Sequence, residues 1–96
     1  MVQRTSPARK RSLEAFGRHL HDWRKLHGLS ASELARRAHV SRDTLRAIEQ
    51  GSGTTQLDSV LAVASALGII DTLVAAADPL STDAGRALAL EQAGAR

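Results

Sequence analysis

Ninety-six residues suit one domain with a modest core. The chain has no cysteine, which excludes a disulfide framework and a thiolate metal site, and no apolar run approaches the roughly 20 residues that cross a bilayer. The net charge of +3 hides a split: residues 1–50 carry 11 Lys/Arg against 5 Asp/Glu, whereas residues 51–96 carry 2 against 5. A basic half joined to an acidic half suits a polyanion on one face and something different on the other. The absence of cysteine fits the cytosol, and Met1-Val2-Gln3-Arg4 does not lead into the apolar stretch of a secretory signal.

Aromatic and β-branched residues are sparse while Ala, Leu and Arg abound, which favours helices over strands. Residues 1–11 are polar and basic and read as a flexible arm. Ser6-Pro7 offers an alternative, an earlier helix start with proline in the first helical position. A first helix is expected from about Ser12 to His27, with Phe16, Leu20, Trp23 and His27 on one face at spacings of three and four. Trp23 is expected in the core, and Gly28 ends the helix.

The next start signal is the clearest. Ser30-Ala31-Ser32-Glu33 is a capping box, in which the Ser30 hydroxyl accepts from the Glu33 amide and the Glu33 carboxylate reaches back to the Ser30 amide. Leu34, Ala35 and Ala38 form the inner face of this short second helix. After a break at His39-Val40, Ser41 caps a third helix over about 42–50. There Val40, Leu45 and Ile48 point inward and Arg42, Asp43 and Arg46 point outward. Beyond Gly51, Thr55-Gln56-Leu57-Asp58 reads as a second capping box. It opens a fourth helix to about Leu67 with Leu57, Val60, Leu61, Ala64 and Leu67 inward. A fifth short helix is expected over about Asp71 to Ala77, ended by Asp78-Pro79. An Ala/Leu-rich segment starting at Ser81-Thr82 completes the chain.

Two helices joined by three or four residues cross steeply, so the first braces the second and presents it outward. A helix presented in this way fits the major groove of B-DNA, where Arg reads guanine through O6 and N7 and Asp accepts from cytosine N4. The segment from Leu29 to Gly51 resembles the helix-turn-helix of the lambda-repressor/Cro-like regulators, the XRE family. Leu34-Ala35, Val40-Ser41 and Ile48-Glu49-Gln50-Gly51 carry the match, which extends over roughly residues 13–70.

The resemblance implies an all-α, five-helix DNA-binding domain over residues 12–78, with residues 79–96 as a short helical segment for dimer or partner contacts. It implies base reading by Arg42, Asp43 and Arg46. Backbone contacts would come from Ser30, Ser32, Ser41, Thr54, Thr55, Arg24 and Thr44, the last of which could serve a base instead. Arg36 and Arg37, read from the residues themselves, are either a solvated face or a source of long-range attraction to DNA. It also pairs Arg24 with Glu49. Two departures stand out: Ala31 replaces the usual glutamine after the second helix's cap, and His39 replaces the usual glycine of the turn. Arg4, Arg9, Lys10 and Arg11 form either a weakly helping tail or an arm for the adjacent minor groove.

No catalytic set is visible, and no cofactor is expected. His19 and His21 lie two apart on a helix and face different ways, which does not suit a metal site. The leading expectation is a cytoplasmic, nucleoid-associated dimeric repressor of double-stranded DNA, since one reading helix alone discriminates poorly. Its dimer surface would use Ile69, Ile70, Leu73, Val74, Leu88 and Leu90. The resemblance also allows an antitoxin-type repressor whose C-terminal half binds a toxin or other protein partner.

Overall fold

The computed structural model describes residues 5–95, which form six α-helices and no strand. They are α1 (Pro7–Leu26), α2 (Ala31–Ala38), α3 (Arg42–Glu49), α4 (Leu57–Ala66), α5 (Ile70–Ala77) and α6 (Asp83–Gly94), with a 3-10 turn at Pro79–Ser81. The fold is thus the all-α, five-helix arrangement with a C-terminal helical segment that the sequence implies.

Of the two starts open to the first helix, the structure takes the earlier. The Ser6 side chain accepts from the Arg9 amide at 3.1 Å and Pro7 occupies the first turn, so Arg9, Lys10 and Arg11 are helical. Arg4 lies outside the described residues. A cap that satisfies an orphan amide, with a proline preset to helical φ, is enough to start a helix without apolar anchors.

The core is small. Leu20 of α1, Leu34, Ala35 and Ala38 of α2, Leu45 and Ile48 of α3, and Val63 and Leu67 at the end of α4 bury one another, joined by Leu29. Phe16, Val40, Val60 and Ile69 pack around the rim. The second helix thus sits between α3 and α4, and α1 crosses α3. That crossing is close because Gly17 has no side chain. A Cβ there would lie 2.6 Å from the carbonyl oxygens of both Ile48 and Glu49.

Three sequence expectations fail at the edges of this core. Trp23 is 42% exposed and Arg24 takes the inward place. On a helix, Arg24 lies 40° from Leu20 and Trp23 lies 60° away on the other side, and Glu49 makes the charged choice tolerable. Trp23 instead meets His27 across the surface, their ring centroids 6.0 Å apart. The Thr55–Asp58 capping box does not form. Gln56 is the extended cap residue and makes no side-chain cap hydrogen bond, so Thr55 lies one position too early. The same register puts Leu57 at the first helical position, 70% exposed rather than inward.

The radius of gyration is 16.5 Å, against about 12–13 Å for a compact chain of this length. The excess comes from the ends. The first turns of α1 extend past the core, and α6 packs chiefly on the Pro79–Ser81 turn. Gly85 permits that contact, because a Cβ there would fall on the Pro79 carbonyl.

Candidate nucleic-acid interface

The turn between α2 and α3 has three residues, and its geometry follows from local hydrogen bonds. His39 adopts the left-handed conformation, φ 57° and ψ 39°, and the Val40 amide reaches back to the Ala35 carbonyl at 3.0 Å. This is the Schellman pattern that glycine usually supports. The Ser30–Glu33 box forms in both directions, each contact 3.1 Å. Its hydrogen bonds from the Ser30 backbone and hydroxyl hold the Glu33 carboxyl below the usual range.

Ser41 caps α3 by accepting from the Thr44 amide at 3.0 Å, and its own hydroxyl donates to Thr44 Oγ1 at 2.9 Å. The Thr44 oxygen is then an acceptor within the protein, and its proton is left for an outside acceptor. Leu45 and Ile48 are buried, whereas Arg42, Asp43, Arg46 and Gln50 are exposed. The outward face of α3 is therefore long, polar and mainly cationic. Gln50, part of the matching motif but not among the expected DNA contacts, shares this face.

The expected pair between Arg24 and Glu49 is present and has a third member. Arg24 Nε donates to Glu49 Oε2 at 2.9 Å and Nη2 to Oε1 at 3.1 Å, while Nη1 donates to the Leu29 carbonyl at 3.1 Å. His21 Nδ1 lies 2.9 Å from Glu49 Oε1 and 3.1 Å from Arg24 Nη2. Burial alone would raise the Glu49 carboxyl, but the hydrogen bonds and charges of Arg24 and His21 outweigh it and hold the group below its usual value. The same hydrogen bond, opposed by desolvation, raises Arg24 further. Arg24 is buried at 7% exposure, so it forms the floor of a cleft whose walls include His21, Ala31, Arg42, Arg46 and Gln50. Ala31 leaves that cleft open on the α2 side. The signal for His21 was its place one turn before Arg24.

Ser30, Ser32 and Ser41 are exposed around the starts of α2 and α3, and Arg36 and Arg37 are exposed at the end of α2. In the loop after α3, Thr54 is exposed and its amide donates to Ser52 Oγ at 3.2 Å, while Thr55 is half-buried. A contact missed from the sequence joins α1 to α4: His27 Nε2 lies 2.9 Å from the Leu67 carbonyl. Among the described residues, no group of three His, Asp or Glu side chains is placed to hold a metal ion, and no helix is long and apolar enough to cross a membrane.

Comparison with known proteins finds no match among curated proteins or solved structures. A protein-family model, Helix-turn-helix domain, matches residues 15–77. The match takes in all of α1 beyond its first eight residues, both helices of the turn, α4 and α5. It agrees with the resemblance to lambda-repressor/Cro-like regulators, and such a domain points to DNA binding and transcription regulation. With well over half of its length matched and its α2–turn–α3 geometry in register, the chain belongs to the helix-turn-helix domain family.

Proposed function

We propose that the protein is a sequence-specific regulator of transcription that lays α3 in the major groove of duplex DNA and acts as a dimeric repressor rather than as an enzyme. The observation that carries this reading is the division of α3: Leu45 and Ile48 are buried, leaving Arg42, Asp43 and Arg46 exposed on a braced helix. Arg42 and Arg46 read guanine edges and Asp43 accepts from cytosine. Ser30, Ser32, Ser41, Thr44, Thr54 and Thr55 contact phosphates, with Arg24 at the cleft floor and Arg36 and Arg37 supplying attraction.

The dimer surface lies in the C-terminal half. Val74, Leu88 and Leu90 are 61–74% exposed, and Ile69, Ile70 and Leu73 are half-buried just before Val74 in the chain. Exposed leucines on a helix with little packing of its own support a protein contact there. A toxin or other protein partner is the second reading, favoured by the same exposed leucines of α6. Selection of bound duplexes from a random pool tests the main reading, with mass measurement in solution beside it. A two-fold symmetric motif with half-sites about 34 Å apart is expected. A pool without enrichment overturns base reading, and a monomer at micromolar concentration overturns the dimer.

A further inference from the structure

The first two turns of α1 lie outside the family match, which begins at residue 15, yet they are helical and carry Arg9, Lys10 and Arg11 on exposed positions. Their place relative to α3 is fixed by close contact. Gly51 follows the cap of α3, and a Cβ on it would lie 2.7 Å from Glu14 Cα; a Cβ on Gly53 would lie 3.0 Å from Leu13 Cδ1. Next to these contacts, Arg9, Ser12 and Leu13 face Gly53 and Thr54 across one concavity. The start of α1 therefore runs along the loop that leaves the reading helix. At 1.5 Å per residue, Pro7–Leu13 carry it about 10 Å beyond the Glu14–Gly51 contact.

We propose that Arg9, across the concavity from the Thr54 hydroxyl, together with Lys10 and Arg11 on the neighbouring sides of the same helix turn, forms a rigid clamp for the DNA backbone that grips phosphates flanking those reached by α3. The inference rests on α3 being the groove-binding helix. Charge complementarity selects the partner: three successive cations stand in these two turns with Glu14 as the one acid. Successive residues on a helix fan out by 100°, which suits straddling a phosphate strand and does not suit reading base edges. The Ser6 cap and Pro7 hold the cations in place before binding, so little ordering cost accompanies contact. The clamp lengthens the bound site without adding base preference.

The test uses the full chain, an R9Q/K10Q/R11Q variant and the charge-preserving R9K/R11K variant. The probe is a duplex selected by the parent protein from a random pool, intact or with its flanks trimmed. Binding is followed by fluorescence anisotropy at several salt concentrations, with hydroxyl-radical footprinting beside it. The glutamine variant is expected to lose about 0.9 from the slope of log Kd against log salt for each phosphate released. It should also lose protection at the flanks and keep the parent's ratio of affinity for selected over scrambled duplex. R9K/R11K should keep the slope, and trimming the flanks should weaken the parent but not the glutamine variant. A glutamine variant with the parent's slope and footprint, and an unchanged thermal midpoint, removes the clamp alone. A parent that enriches no duplex removes the reading of α3, and the clamp with it.

Discussion

Arg24 grips Glu49 with two hydrogen bonds, Nε to Oε2 at 2.9 Å and Nη2 to Oε1 at 3.1 Å, and so fastens the later turns of α1 to the last residue of α3. The contact lies in the cleft that Arg42 and Arg46 also line, and it ties α1 to α3 there. Its side chains are only 9% and 10% exposed. In such surroundings, geometry and the remaining hydrogen bonds decide whether a charge pair stabilises. Here the Leu29 carbonyl accepts from Arg24 and His21 Nδ1 donates to Glu49.

Glu49→Gln should therefore be costly and should change the response to acid. Removing the charge leaves buried Arg24 without its counter-ion, a loss of about 3 kcal/mol in urea unfolding. The Glu49 carboxyl is held below its usual value in the folded chain. Its contribution is therefore fully present above the unfolded value, about pH 4.3, and disappears as pH falls through the lower folded value. Thermal midpoints from pH 7 to pH 3 should fall more steeply for the parent than for the variant. Parallel curves would show that the pair contributes nothing to acid sensitivity.

Gly17→Ala reverses an ordinary rule. Glycine inside a helix costs about 1 kcal/mol relative to alanine, so the substitution would normally stabilise. At this position the new Cβ would lie 2.6 Å from two backbone carbonyl oxygens of α3, which cannot swing aside as a side chain can. The helices must separate, and overpacking of this kind costs about 1–3 kcal/mol. A lower urea midpoint is expected, together with weaker duplex binding because α3 shifts. A midpoint equal to or above the parent's would show that the crossing has slack.

Arg42→Ala and Arg36→Ala separate reading from attraction. Arg42 stands at the first position of α3 and Arg36 on the exposed side of α2. The first substitution should cost about 1–3 kcal/mol on the preferred duplex and relax preference at one base pair. The second should weaken all duplexes alike and lower the salt slope by about one. Anisotropy titrations against selected and scrambled duplexes distinguish the two outcomes. Equal losses on both duplexes for Arg42→Ala would remove it from the reading set.

What the sequence revealed was local. The Ser30–Glu33 box, the Ser41 cap and the short turn depend on neighbours within four residues, and all are in place. The inward faces of α2 and α3 were legible because helical spacing alone sorts Leu34, Ala35, Leu45 and Ile48 from Arg36, Arg37, Arg42 and Arg46. What depended on the approach of distant segments was not legible. Nothing near Gly17 in the sequence signals its role, which exists only against Ile48 and Glu49. Spacing placed Trp23 inside; the buried ion pair, an interaction across 25 residues, put Arg24 there instead. At α4 the chemistry of a cap was present in Thr55 and Asp58, but the loop delivered the chain to Leu57 one residue late. Roles on DNA are a further step, because exposure of Arg42 and Arg46 defines a face and not the bases it meets.

His39→Gly bears on whether the turn is held by its sequence or by its surroundings. His39 is the only non-glycine residue with positive φ among the described residues. A left-handed conformation costs an L-residue about 1–2 kcal/mol. Glycine would remove that strain, while widening the unfolded ensemble at a cost of about 0.4–1 kcal/mol. The side chain is exposed and makes no core contact that would be lost. The balance is a gain of about 0.8 kcal/mol, visible as a higher urea midpoint. Because the φ of the turn is already left-handed, the angle between α2 and α3 should be unchanged, and duplex affinity should stay within about twofold of the parent. Stabilisation accompanied by lost affinity would mean that the His39 side chain itself touches DNA, and a lower midpoint would mean that its strain is offset by a contact.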